Sequence, residues 1–253
     1  METDLTLYHG LDNTLEPGSS LILGNICIKI MHTYILYSQI VHFFLAGPSN
    51  SGKTTFAVNL ILYRHILFNE DIKKIIIITP HEQSIFNELK ETEKNDSVDI
   101  INELPNYEEI EHFADKHKTE GLILLLDDVI EEMQNRLQLS RIFSKLCHHK
   151  RLTCILCVQN LFFQNDQYRN MSINSTYLSL FSNPRDIRQI SLLGGRMYPE
   201  QRKEFVDAFK RATKKPYSYL FIDYRQETKN FMRLRTNILP TDPEPMTMYM
   251  ANE

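Results

Sequence analysis

The chain has 253 residues, 42% of them hydrophobic and 24% charged, and carries a net charge of −4 at neutral pH. This is the make-up of an ordinary soluble globular chain with a real core, one large domain or two small ones. The negative balance excludes a broadly basic nucleic-acid binder, so any DNA contact needs a local basic surface.

Residues 1–19 are polar, hold Pro17 and Gly18, and read as a flexible arm. Ser20–Met31 reads as one or two β segments at a sheet edge. The apolar stretch from Leu21 to Ala46 is broken by Lys29, His32, Ser38, Gln39 and His42, too often for a transmembrane helix. With no secretory signal, and with four cysteines (Cys27, Cys147, Cys154, Cys157) in so long a chain, a soluble, intracellular, reduced protein is expected.

Val41–Ala46 is a short apolar run that reads as a buried strand and ends at Gly47. GPSNSGKTT follows: Gly47, Pro48, Ser49, Asn50, Ser51, Gly52, Lys53, Thr54 and Thr55, which fits G-x-x-x-x-G-K-[ST]. Lys53–Phe68 then reads as a helix with Phe56, Leu60, Tyr63 and Leu67 on one side. A strand, a glycine loop and a helix N-terminus make an anion site, because loop N–H groups converge where the helix dipole is positive. Lys53 reaches the β- and γ-phosphates of a nucleoside triphosphate, and Thr54 ligates the accompanying Mg2+.

Lys73–Pro80, with its consecutive isoleucines, reads as a strand buried on both faces. Helices are expected at Glu82–Lys90 and near Tyr107–His117. Gly121–Val129 is another apolar run, closed by Asp127 and Asp128. Ligands sit at the carboxyl ends of strands in a parallel sheet. Asp127 is therefore assigned to the Mg2+ shell and Asp128 to orienting or activating the attacking water. The competing role, capping a helix that begins near Val129, loses weight beside a phosphate loop.

A helix near Ser140–His149 leads to the strand LTCILCV and then Gln159. An amide there either hydrogen-bonds a γ-phosphate or lytic water, or simply opens a loop. Cys154 and Cys157 have C-x-x-C spacing near His148 and His149, yet residues three apart on a strand face opposite ways and cannot close a zinc site. Buried thiols are expected instead. Thr176–Ser182 reads as a strand, Pro184–Leu193 and Pro199–Thr213 as helices, and Tyr217–Tyr224 with Phe231–Ile238 as an antiparallel edge hairpin. The segment 240–253, rich in proline and methionine, reads as a disordered tail or docking peptide.

At least five strands with intervening helices predict a mainly parallel three-layer α/β sheet. One strand lies between the phosphate-loop strand and the Asp-Asp strand in sequence. That is the order of the additional-strand branch of P-loop NTPases, in which the Gln159 strand is inserted between the other two.

GPSNSGKTT, LLLDD, HHKRLTCILCVQNLF (148–162), YLSLFSNPRD (177–186) and YSYLFIDY with RLRTNILP together resemble the FtsK/HerA-type genome-packaging ATPases. The resemblance is strongest to those of Polinton/Maverick elements, adintoviruses and related double-stranded DNA viruses, akin to the poxvirus packaging ATPase. It spans Ile40 to Pro240 and is densest after Arg141. It implies a RecA/FtsK-like P-loop ATPase domain at residues 20–239, using ATP and Mg2+. It also implies a homo-oligomeric ring that drives double-stranded DNA, independent of sequence, into a viral capsid through a capsid or portal partner. Its place would be the viral assembly site, with no membrane role.

By position, Lys53 and Thr54 fall on the Walker A lysine and hydroxyl, Asp127 and Asp128 on the Walker B acids, and Gln159 on the sensor. Asp128 departs from the glutamate of many relatives. A trans-acting arginine is sought among Arg151, Arg185, Arg188 and Arg196, and Arg185 is chosen from these; a surface salt bridge to Asp186 or another acid is a competing role of at least equal weight. For DNA the basic groups are His148–Arg151, Lys210–Lys215, and Arg233 with Arg235, each otherwise a solvated face. Two other functions share the loop: a nucleotide or small-molecule kinase, and an ATP-gated scaffold with little turnover.

Overall fold

A computed structural model describes residues 19–23, 26–30, 37, 41–69, 71–93, 97–129, 139–150, 152–161, 171, 174–185 and 187–249. It opens with an antiparallel pair, β1 (Ser19–Leu23) and β2 (Ile26–Ile30). β3 (His42–Ala46) is buried along its length and runs through the glycine loop into α1 (Lys53–Leu62). β4 (Lys74–Ile78) and α2 (Ser84–Thr92) come next, followed by β5 (Val98–Ile101) and α3 (Tyr107–Lys116). α3 starts at a capping box, in which Asn106 Oδ1 accepts from the Glu109 amide and the Glu109 carboxylate accepts from the Asn106 amide.

β6 (Leu122–Asp127) is followed, past a segment outside the described residues, by a π-helical turn at Ile142–Leu146 and β7 (Leu152–Val158). Then come β8 (Tyr177–Phe181), α4 (Ile187–Met197), α5 (Arg202–Ala212), β9 (Tyr219–Asp223), β10 (Leu234–Thr236) and β11 (Thr247–Tyr249).

The eleven strands among the described residues belong to one sheet, ordered β2-β1-β11-β10-β9-β8-β3-β7-β6-β4-β5. From β8 to β5 the neighbours are parallel. β7 lies between β3 and β6, the expected inserted strand. The antiparallel hairpin β9–β10 follows on the β8 side, and β11, β1 and β2 extend the sheet beyond it.

The three layers follow from side-chain alternation. Phe43 and Leu45, Ile75 and Ile77, and Ile123 and Leu125 enter a core with Phe56, Leu60 and Ile61 of α1 and Phe86 and Leu89 of α2. Phe44, Ala46, Ile76, Ile78, Leu124 and Leu126 enter a second core with Ile110 of α3, Ile190 and Leu193 of α4 and Phe205 and Phe209 of α5. Central strands with helices on both faces need apolar residues at every position, which is why they read as unbroken apolar runs.

Three expectations are corrected. β5 lies in a charged stretch where no strand was expected; it is an edge strand whose Asp99 reaches Lys74 at 2.9 Å. The strand expected to begin at Tyr217 begins at Tyr219. Residues 240–249 are not a disordered tail: β11 pairs with β10 and β1, and Met248 and Tyr249 are buried. Asp242 anchors that return, accepting from the Leu239 amide at 2.7 Å and from the Tyr219 hydroxyl. Three residues of strand behind several prolines are too few to show a period. The arm up to residue 18, the segment after Val129, Arg151, Asp186 and residues 250–253 lie outside the described residues.

Candidate functional site

The registers bring the proposed groups to one edge of the sheet. Ala46 is level with Val158, Cys157 with Asp127, and Leu126 with Ile78. Gly47, Gln159, Asp127 and Thr79 therefore leave neighbouring strands side by side, at the carboxyl ends where ligands bind in such sheets.

The loop is tied down at its start by the Gly47 amide donating to Val158 O at 3.1 Å. A Cβ at Gly47 would lie 2.6 Å from Phe181 Cβ and 2.8 Å from Ser51 Oγ, so no larger residue fits. Gly52 has φ 100°, a left-handed turn that swings the chain into α1 and suits glycine. Asn50, at φ 61°, is a residue type that tolerates the same region.

Lys53 is only 6% exposed, and its ammonium donates to Gly47 O at 2.8 Å and Pro48 O at 2.9 Å. Two neutral carbonyls are weaker partners for a buried cation than an anion is. Ser51 Oγ is buried with no protein partner, a hydroxyl available to a phosphate oxygen. Thr55 faces solvent on the first turn of α1.

Thr54 Oγ1 donates to Asp127 Oδ2 at 3.1 Å, joining the helix start to the acid strand. Asp127 also accepts from Gln83 Nε2 at 3.0 Å and from the Cys157 thiol. Burial pushes the Asp127 carboxyl above its ordinary value and the negative Asp128 adds to this, while hydrogen bonds from Gln83, Cys157 and Thr54 oppose it. A hydroxyl and an electrostatically crowded carboxylate are hard oxygen donors, so the pair fits Mg2+. Asp128 is half-buried with φ 53°. That bend turns the chain sharply at the end of β6.

Gln159 is half-buried directly after β7, between the loop and the acids. Arg185 is exposed in the turn after β8, where its backbone amide donates to Asn183 Oδ1. The structure thus bonds Thr54 to Asp127 and holds the neighbouring Lys53 on the carbonyls of Gly47 and Pro48, with Gln159 on the intervening strand. Gln83, at the start of α2, was not anticipated. A polar residue soon after a buried strand's carboxyl end was the available signal.

Cys154 and Cys157 are buried in the two different cores, on opposite faces of β7, as the strand spacing predicts. Among the described residues no cluster of His, Cys, Asp and Glu forms a metal cage, and no helix is long and apolar enough to cross a membrane. One DNA candidate is corrected: Arg235 is fully buried and bonds Asp223 at 2.7 Å, while Arg233 donates to the carbonyls of Asp223 and Arg225. Both hold the β9–β10 hairpin together. Lys150 pairs with Asp115 and Lys215 with Glu244, leaving Lys210, Arg211 and Lys214 exposed at and beyond the end of α5.

Strand order, glycine loop and acid strand define the additional-strand form of the P-loop NTPase fold. Neither a protein-family model nor a curated protein sequence matches the chain. Among solved structures it is similar to the genome packaging NTPase B204 of Sulfolobus turreted icosahedral virus 2, in complex with ATP-gammaS, with 16% identity over 74% of this chain and 94% of that one, at a TM-score of 0.45. It is also similar to the cytoplasmic domain of the type VII secretion ATPase EccC of Thermomonospora curvata, with 12% identity, 83% and 25% coverage, and a TM-score of 0.46. For the cytoplasmic domain of EssC the values are 15%, 62% and 34%, and 0.42. These likenesses concern layout alone.

Proposed function

We propose that the chain binds Mg·ATP at the Gly47–Thr55 loop and hydrolyses it, and that it does so as a motor driving double-stranded DNA into a viral capsid. The hydrolytic half rests on one observation: Lys53, Thr54 and Asp127 converge at the carboxyl ends of β3 and β6. The loop amides and Lys53 hold the β- and γ-phosphates. Thr54 and Asp127 would hold Mg2+, which when bound neutralises charge on the phosphate oxygens. Asp128 accepts a proton from the water that attacks the γ-phosphorus, and Gln159 orients that water or senses the γ-phosphate.

The DNA half rests on the sequence resemblance to FtsK/HerA-type packaging ATPases. Assembly into a ring, delivery of Arg185 to a neighbouring subunit's site, and docking on a capsid or portal protein belong to the same reading. Lys210, Arg211 and Lys214 offer exposed charge for phosphate contacts independent of base sequence. The test is steady-state ATP hydrolysis against protein concentration, with and without linear double-stranded DNA. Turnover that rises with both supports the motor. A rate indifferent to DNA and dilution argues for another phosphotransfer enzyme.

A further inference from the structure

We infer that Tyr217 is the stacking platform for the nucleobase of the bound nucleotide. The inference rests on the phosphate-loop reading and adds the other end of the ligand.

Tyr217 is 71% exposed, one of two large hydrophobic residues so displayed among the described residues. Its backbone has φ 63°, a strained region that bulky side chains rarely occupy. An exposed aromatic in a strained conformation gains nothing from core packing.

Its neighbour is the phosphate loop. A Cβ built on Gly52 would lie 3.2 Å from Tyr217 Cβ and 3.5 Å from Cδ1. The turn is held firmly, because the Ser218 amide and hydroxyl both donate to Lys215 O. Just beyond, the Tyr219 ring packs edge-on against Phe56 of α1, with centroids 4.6 Å apart.

Topology sets which end of a nucleotide meets it. β9 runs antiparallel to β8, with Tyr219 level with Phe181, so the turn before β9 lies on the same sheet edge as the loop. It lies on the β8 side of β3, whereas Gln159 and Asp127 lie on the other side, on β7 and β6. A triphosphate whose γ end points to Asp127 and Gln159 must leave the loop past Thr55 towards β8 and β9. The base then reaches Tyr217. Every base has a π face, so this platform favours purines by area without reading their edges.

The chain contains no tryptophan, so Tyr217→Trp introduces a single indole, selectively excitable beside the tyrosines, at the platform. Tyr217→Gly removes the ring and also relieves the backbone, so loss of fold does not cloud it. Mg·ATP and Mg·tripolyphosphate are titrated calorimetrically into wild type and Tyr217→Gly, and fluorimetrically into Tyr217→Trp. Tyr217→Gly is expected to bind ATP roughly 5- to 100-fold more weakly and tripolyphosphate unchanged. ATP, and not tripolyphosphate, is expected to quench the indole. ATP affinity unchanged in Tyr217→Gly, equal loss for both ligands, or no quenching at saturating ATP overturns the stacking role and leaves the phosphate loop standing. Wild type binding neither ligand removes the phosphate-loop reading and the platform with it.

Discussion

Thr54 Oγ1 lies 3.1 Å from Asp127 Oδ2, although the two residues are 73 positions apart. The contact closes the first turn of α1 against the end of β6, and it places both oxygens where one cation can take them together. It also keeps a buried carboxylate beside another acid, a costly arrangement without that cation.

Asp127→Asn should therefore stabilise the ligand-free fold while abolishing its response to Mg·ATP. The Asp127 carboxyl is raised by burial and by Asp128, so the folded state holds its proton more tightly than the unfolded chain does. Its contribution to stability is present in acid and lost as pH rises through the folded value, which makes it a penalty at neutral pH. Asparagine removes that penalty. Thermal melts at neutral pH should rise by about 2–4 °C for each kcal/mol relieved, and shift no further with Mg·ATP. A lower melting temperature without ligand would count against the electrostatic account.

Asp128→Asn should separate chemistry from binding. Asparagine accepts φ 53° as readily as aspartate, so the substitution changes charge and little else. Turnover should fall by about 10²- to 10⁴-fold, with Mg·ATP affinity within a few-fold of wild type. Single-turnover hydrolysis beside equilibrium binding distinguishes this from a loss of both.

Gln83→Ala should weaken the proposed Mg2+ site through its bond to Asp127. Gln83 Nε2 donates to Asp127 at 3.0 Å and helps keep that carboxylate ionised and aimed. The expected loss is about 10- to 100-fold in Mg2+ affinity of the nucleotide-bound protein, with metal-free ATP binding barely changed. Mg2+ titrations at fixed ATP report it.

Asp223→Asn tests the hairpin's ion network far from the loop. Burial alone raises the Asp223 carboxyl, but the Arg225 hydrogen bonds and the charges of Arg235 and Arg225 outweigh it and hold it below the ordinary value. A depressed carboxyl stabilises the fold above its unfolded value and loses that contribution as pH falls through the folded one. The variant leaves Arg235 buried without its counter-charge, at a cost of about 3–5 kcal/mol at neutral pH. In urea unfolding the gap from wild type should narrow with acidification; a gap that widens there contradicts the assignment.

Central strands and phosphate loop were legible because their signals are local. FFLA, IIII and LILLL are apolar at every position, as strands buried on both faces must be, and the spacing of Gly47, Gly52, Lys53 and Thr54 is a property of one loop. Groups that meet through sheet neighbours were not legible. Gln83 reaches Asp127 only because β4 lies beside β6. Arg235 reads as a basic surface residue in RLRT, yet β10 pairs with β9 and turns it onto Asp223. β5 and β11 are too short to show a period, and the sheet supplies their stability.

The account stands most directly on calorimetric titration of Mg·ATP into wild type and Lys53→Ala. Saturable binding of one nucleotide per chain in wild type, lost in Lys53→Ala, is the predicted result. Equal binding by the two proteins, or none by wild type, would contradict a phosphate cradle at Gly47–Thr55.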